Sequence, residues 1–236
     1  MTQEKRTCVI TGASAGIGKA TAIEMASLGC SVIMLVRDCE KSRAAAEEIK
    51  AASGSDDVRM ICVDFASQAS IRAAAGEMAE AGVRVDVLVN NAGVYKRSRE
   101  ISPDGIEMTL AVNFAAPFLL TELVVPLMEG SPDARIINLS SENYKNGRVV
   151  LDETGDSFSG NKAYAESKLL VIAWTRELAR RLESKGITAN AVHPGVVGTD
   201  VFREYPRWFA SAHFRARMLD TSRKVSEAAC GWRLQS

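Results

Sequence analysis

Near the start of the chain, Thr7-Cys8-Val9-Ile10-Thr11-Gly12-Ala13-Ser14-Ala15-Gly16-Ile17-Gly18-Lys19 joins a strand-like run to a helical one through three glycines. A short β-branched run, Thr7 to Thr11, reads as a strand. Gly12, Gly16 and Gly18 follow it closely, and from Ile17 to Leu28 apolar residues recur at spacings of three and four, the pattern of a helix. Glycines between a strand and a helix let the backbone turn sharply, approach a pyrophosphate closely and pack the helix onto the sheet. The helix N-terminus adds amide donors and a positive dipole end. A glycine-rich stretch by itself is a weak signal, with a plain tight turn as its rival reading, and its position between strand and helix cuts that rival sharply.

The same alternation continues outward from this unit. Ser31 to Val36, Val58 to Val63, Val85 to Asn90, Arg135 to Leu139 and Ile187 to Val192 read as further strands. Ile17 to Leu28, Glu40 to Ala52, Gln68 to Ala81, Asp104 to Met128 and Lys162 to Ser184 read as helices. Strands separated by helices imply crossover connections and a parallel sheet with helices on both faces, and nearly continuous apolar strands fit burial on both sides. No internal repeat or Pro/Gly/Ser-rich linker interrupts the pattern. The expected architecture is α/β, a single doubly wound domain over residues 1–236 that changes character after about residue 195.

The 236 residues carry 29 Lys+Arg against 29 Asp+Glu, a balance that argues against a nucleic-acid-coating role. With 47% hydrophobic and 25% charged residues, the composition is that of a soluble globular domain. Thr121, Glu122 and Pro126 break the run from Phe118 to Met128, so stable membrane insertion is not expected. The polar start, Met1 to Arg6, does not read as a signal peptide. Cys8, Cys30, Cys39, Cys62 and Cys230 are odd in number and unclustered. They read as reduced thiols of a cytoplasmic protein, with no metal site.

The spacing Gly-x-x-x-Gly-x-Gly differs from the commonest dinucleotide fingerprint, and with it the chain resembles the short-chain dehydrogenase/reductase family. Further family marks occur in order: Asp64, Asn90-Asn91-Ala92-Gly93, Asn113, Ser140-Ser141, Tyr164-Ala165-Glu166-Ser167-Lys168 and Pro194-Gly195. The resemblance covers residues 7 to about 200 and implies a Rossmann-type sheet. It also implies a nicotinamide cofactor held by Gly12, Ser14, Gly16, Ile17, Gly18, Asn91, Ala92, Gly93, Pro194, Gly195 and Thr199. Asp64 would accept a hydrogen bond from the adenine amino group, or serve as a turn or helix N-terminal aspartate. The Asn residues have a structural turn as their rival reading.

The end of the second strand chooses between NAD and NADP. Leu35-Val36-Arg37 offers a guanidinium where an NAD site usually has a carboxylate, which favours NADP(H) through bidentate contact with a 2′-phosphate. Asp38, directly after it, reads as the cap of the next helix.

Tyr164 and Lys168 are four apart on a helical segment and so share a face. Alone they read as a surface pair. In the family resemblance Tyr164 is the acid or base, Lys168 favours its phenolate and binds the nicotinamide ribose, and Ser141 polarises the reacting oxygen. Asn113 anchors a water beside Lys168. Counting from the strand places the serine at Ser141, with Ser140 as a backbone-bonding neighbour. Ser141 and Tyr164 lie 23 residues apart, wider than in many members. That insert resembles the retinol dehydrogenase-like and protochlorophyllide reductase-like branches. His193 reads as a packed turn residue, and His213 lies in a variable segment.

Five of the fourteen aromatics, Phe202, Tyr205, Trp208, Phe209 and Phe214, fall between residues 199 and 225. By resemblance this segment closes over a small-molecule substrate, and its aromatics suggest a large apolar or aromatic one. Val225 to Cys230 looks like the start of the family's last helix, and the last strand is expected to be missing. Three readings stand: a carbonyl/alcohol oxidoreductase, a carbon–carbon double-bond reductase, and a nucleotide-binding regulatory protein without turnover. Leu119, Leu123, Leu170 and Trp174 exceed the needs of one sheet-facing stripe, and by resemblance they build a homodimer.

Overall fold

The computed structural model describes residues 5–148, 158–193 and 224–229. Six strands form one parallel sheet: β1 (Thr7–Thr11), β2 (Ser31–Val36), β3 (Val58–Cys62), β4 (Val87–Asn90), β5 (Arg135–Leu139) and β6 (Thr188–Val192), in the order β3-β2-β1-β4-β5-β6. The connecting helices are α1 (Gly16–Ser27), α2 (Cys39–Ser53), α3 (Gln68–Glu80), α4 (Met108–Leu110), α5 (Ala116–Met128) and α6 (Gly160–Leu182). The strand order reverses between β1 and β4, and that crevice at the carboxyl ends of the strands is where such sheets receive ligands.

Alternation along the strands divides the interior in two. Val9, Ile33, Leu35, Leu88 and Ile136 face α3, α5 and α6, while Cys8, Ile10, Val32, Met34, Val87 and Ile137 face α1 and α2. Val225 and Ala229, from the helical residues 224–229, complete the second layer. Each fully buried aliphatic side chain contributes about 1.5–3 kcal/mol, more than the ~0–1 kcal/mol of a surface ion pair. The apolar layers therefore outweigh exposed pairs such as Arg180–Glu177.

The sheet is pinned at its other end by a buried carboxylate. Asp86 accepts from the Thr7 amide at 2.7 Å and from Ser131 Oγ at 2.6 Å, with Arg84 Nε at 3.6 Å. These partners satisfy its charge away from water and fix β1 against β4.

Three expectations need correction. The helix expected over Asp104 to Met128 starts only at Met108. Ser102 to Gly105 forms a turn, and Glu107 caps the helix by accepting from the Thr109 and Leu110 amides. The 21 residues Met108–Met128 are also long and apolar enough to cross a membrane by length and composition. Here Leu120, Val124, Val125 and Met128 are buried in the core. Finally, Cys39 and Cys62 are joined by a disulfide, because the β2–β3 register sets the end of β3 beside the start of α2. Cys8 and Cys30 are buried thiols, and Cys230 lies outside the described residues.

Candidate active site

The turn after β1 is shaped for close approach. Gly12 adopts φ +67° and its amide donates to Leu35 O at 2.8 Å. A Cβ at Gly18 would stand 2.4 Å from Asn91 Nδ2 and 2.5 Å from Gly12 O, so only glycine lets α1 lie this near the β4 turn. Asn91 Nδ2 donates to Thr11 O at 2.7 Å, and Thr11 Oγ1 accepts from the amides of Asn91 and Ala92. The two turns are thus stitched into one floor. Ala15, the N-cap of α1, has no side chain able to cap, so the first-turn amides are left for an anion. Ser14 and Gly16 sit in this turn, and Ile17 anchors it in the core. These features fit a dinucleotide.

Asn90 does different work. Its Nδ2 donates to Thr121 Oγ1 at 3.0 Å and to Asn138 Oδ1 at 2.8 Å, and Asn138 donates in turn to Thr175 Oγ1 at 2.9 Å. This buried network ties β4 and β5 to α5 and α6, the structural alternative rather than a ligand contact.

At the edge of the crevice Arg37 is exposed at the end of β2, and Asp38 turns back to accept from the Lys41 amide at 3.1 Å, capping α2. The Lys41 backbone bond and its ammonium hold the Asp38 carboxyl below its usual range. Asp64 Oδ1 accepts from the Ala66 amide at 3.0 Å, a turn contact, while its residue remains exposed.

The residues expected to react converge from three elements. Asn113 lies in a π-helical turn, Ala111–Ala115, a geometry that recurs at functional sites. Its Nδ2 donates to Val94 O and Ser167 Oγ, and its Oδ1 accepts from the Val94 amide at 2.8 Å. The side chain therefore clamps the loop after β4. Gly93 lies against this clamp, where a Cβ would sit 3.3 Å from Asn113 Oδ1 and 3.7 Å from Lys168 Nζ.

From α6, Lys168 Nζ donates to Leu139 O at 2.9 Å and lies 5.7 Å from the centre of the Tyr164 ring. Ser141, beyond β5, is hydrogen-bonded to Tyr164 through their side chains. Ser140 Oγ instead donates to the Lys168 carbonyl at 3.0 Å. Burial pushes Tyr164 up to about 12, with the Ser141 bond pulling the other way, and burial pushes Lys168 down to about 8. For the phenol, desolvation outweighs the hydrogen bond from Ser141.

A cavity of about 510 Å³ is lined by Asn143, Asn146, Ser159, Asn161, Lys162 and Ala165, from the turn after Ser141 and the start of α6. Sequence reasoning missed this amide-rich wall and also Tyr95, whose ring packs edge-on against Tyr164 at 6.0 Å and whose hydroxyl bonds Asn161 Oδ1 at 3.0 Å. The wall comes from the polar turn after Ser141 and the start of α6, and Tyr95 from the loop after β4, none of it marked by apolar periodicity. His193, expected to be packed, is half exposed, with Nε2 3.4 Å from Glu142. Pro194, Gly195, Thr199, the aromatic segment 199–225 up to residue 223, and His213 lie outside the described residues. Among the described residues no cluster could hold a metal.

Comparison with known proteins agrees with this geometry. The chain is 41% identical over 201 residues to human retinol dehydrogenase 13, covering 84% of this chain and 61% of that protein. It is 39% identical over 213 residues to human retinol dehydrogenase 14, covering 84% and 63%. It therefore spans about three fifths of the length of these curated relatives. A short chain dehydrogenase from Burkholderia cenocepacia, solved in complex with NADP, superposes with a TM-score of 0.74 at 32% identity, covering 96% of this chain and 91% of that one. The family model described as short chain dehydrogenase matches residues 6–209, and with the glycine turn, Asn113, Ser141, Tyr164 and Lys168 in place the chain belongs to the short-chain dehydrogenase family.

Proposed function

We propose that this chain is an NADP(H)-dependent oxidoreductase that interconverts a carbonyl and an alcohol, on a large apolar or aromatic small molecule. The observation that carries it is the buried Tyr164 phenol, hydrogen-bonded to the partly buried Ser141 and set beside the Lys168 ammonium. In the reductive direction Ser141 donates a hydrogen bond to the carbonyl oxygen and Tyr164 gives that oxygen a proton, while Lys168 places positive charge where negative charge would remain on the phenol. The bound nicotinamide supplies the hydride to the carbonyl carbon. Gly12, Ser14, Gly16, Ile17 and Gly18 would cradle its pyrophosphate, Asn91 to Gly93 its ribose, and Arg37 the 2′-phosphate. Asp64 would take the adenine amino group, and Pro194, Gly195 and Thr199 the carboxamide end. NADP(H) is supported by Arg37 and by solved relatives holding NADP. The substrate class is supported by the retinol dehydrogenase relatives.

The same reading places the chain in the cytoplasm as one domain and a homodimer. The dimer is supported by α5 and α6, where Phe118 is 39% exposed beside partly buried Leu119 and Leu123. Trp174 is not available to a partner. It is buried against Phe114 and Phe118.

The test is a screen of ketones, aldehydes and retinoids for NADPH consumption, repeated with Tyr164→Phe. Turnover should fall by orders of magnitude with NADPH binding retained, since only the proton donor is removed. Normal turnover by Tyr164→Phe would refute the assigned acid. Consumption only with activated alkenes would favour double-bond reduction, and binding without turnover on any substrate would favour a regulatory role.

A further inference from the structure

We propose that Cys39 and Cys62 form a thiol–disulfide exchange site, taking low-molecular-weight disulfides and thiols as its reactants, whose oxidised state holds the adenosine wall of the cofactor site in place. The coupling to the cofactor rests on the reading of Arg37 and Asp64 given above; the exchange site does not.

The closeness of the two cysteines is a property of the fold. Cys62 ends β3 in register with Val36, which ends β2, and the Val63 amide donates to Val36 O at 2.8 Å. Cys39 opens α2 three residues past that strand end, held there by the Asp38 cap and by the Ser42 amide donating to Asp38 O at 3.0 Å. These backbone bonds set the two Cα atoms 5.7 Å apart, inside the roughly 4.4–6.8 Å span that a disulfide bridges. The pair is also reachable. Cys62 is exposed and Cys39 partly so, whereas Cys8 and Cys30 are buried in the core. An accessible pair is open to exchange, while buried thiols are inert.

Its position gives the bond a consequence. Arg37 stands two residues before Cys39, and Asp64 two residues after Cys62, so the link joins the two segments assigned to the adenosine end. In the dithiol state the turn that carries Arg37 is held to β3 by backbone bonds and by the packing of α2 on Val58 and Met60, and binding must order the freedom they leave. The disulfide removes part of that ordering cost beforehand.

The exchange balances without further partners. A thiolate of the pair attacks the small disulfide, forming a mixed disulfide and expelling one small thiolate. The second cysteine, giving up its proton, attacks the mixed disulfide and expels the other. Two electrons pass from the protein dithiol to the small disulfide, which leaves as two thiols, and excess small thiol reverses both steps.

The experiment equilibrates the full chain with oxidised or reduced glutathione and maps its peptides without reduction. NADPH affinity is then measured by nicotinamide fluorescence in each state. Expected are a linked Cys39–Cys62 peptide in the oxidised sample, its loss on reduction, and NADPH binding at least threefold weaker in the reduced chain. Cys62→Ser and Cys39→Ser should show neither the linked peptide nor the redox dependence. Absence of the linked peptide from the oxidised chain overturns the exchange site. A linked peptide with equal NADPH affinity in both states overturns the coupling. Failure of NADPH to bind in either state overturns the cofactor reading and the coupling with it, while the peptide map still decides the exchange site.

Discussion

Replacing Lys168 by methionine should make the cofactor-free chain less dependent on pH for its stability, and the sign and size of that change follow from burial. The Lys168 ammonium is buried to 4% exposure, and desolvation lowers it from 10.5 to about 8. Between those values the unfolded chain binds a proton that the folded chain has released, so stability rises with pH across this window. At pH 7 both states are protonated, and holding the ammonium out of water costs about 3 kcal/mol. At pH 9.5 the folded lysine is neutral and the cost falls to about 1 kcal/mol. Lys168→Met has no such cost, although it leaves Leu139 O without its donor at about 1–3 kcal/mol. Those two effects nearly cancel at pH 7, so a single stability difference there is uninformative. The difference between the two pH values is not, because the unpaired carbonyl does not titrate. Urea unfolding of both proteins at pH 7 and 9.5 is the assay. Relative to Lys168→Met, the unsubstituted chain should gain about 2 kcal/mol on going to pH 9.5. Tyr164 does not interfere, since it keeps its proton in both states below its ordinary value near 10. A constant difference between the two proteins at both pH values would show that Lys168 is solvated in the folded chain.

The remaining expectations concern the cofactor site and assembly. NADPH should bind at least tenfold more tightly than NADH, about 1.4 kcal/mol, and Arg37→Ala should abolish the preference in a fluorescence titration; a retained preference would remove Arg37 from the site. Gly18→Ala should lower the thermal midpoint and weaken NADPH binding, because its Cβ would meet Asn91 Nδ2 and Gly12 O. Wild-type affinity and midpoint in that variant would mean the two turns are not in contact. Sedimentation equilibrium at micromolar concentration should give a homodimer, and a 25.4 kDa species alone would refute it.

The sequence carried the sheet because each strand is a short, largely apolar run set between helical stripes, although the edge strands β3 and β6 are buried on one side only, with Arg59 and Asn190 exposed. The six strands lie where the runs from Thr7 to Val192 put them, to within two residues at their ends. The Tyr164 and Lys168 pair was legible for the same reason, since a spacing of four on a helix fixes a common face. What escaped depends on contacts between segments far apart in sequence. The π-helical turn at Asn113 inserts one residue into a helix whose apolar pattern tolerates it, and only the bonds to Val94 and Ser167 show why it is there. The late helix start was within reach, because Ser102-Pro103-Asp104-Gly105 is a turn sequence that hydrophobic periodicity overrode. The Cys39–Cys62 pair was not, since their proximity exists only once β2 and β3 are in register.

Burial drives both central groups of the site toward their neutral forms, raising Tyr164 and lowering Lys168. For a proton donor this is the useful direction: at neutral pH the phenol is protonated before any substrate arrives, and no proton has to be fetched for carbonyl reduction. Alcohol oxidation asks for the opposite, a phenolate in a place that desolvation makes costly. Ser141's hydrogen bond opposes that cost, and in the proposed reaction the Lys168 ammonium opposes it too. Ser141 is fixed by the strand end of β5, and Lys168 by its bond to Leu139 O on the same strand. The β5 terminus therefore holds both groups that stabilise the phenolate, while α6 holds the phenol itself. The Asn90–Asn138–Thr175 network joins that strand to that helix one layer deeper. A neutral, apolar joint could slide along the helix, whereas hydrogen bonds of fixed geometry admit one register. The buried polar chain beneath the site thus sets how Ser141 and Lys168 meet Tyr164.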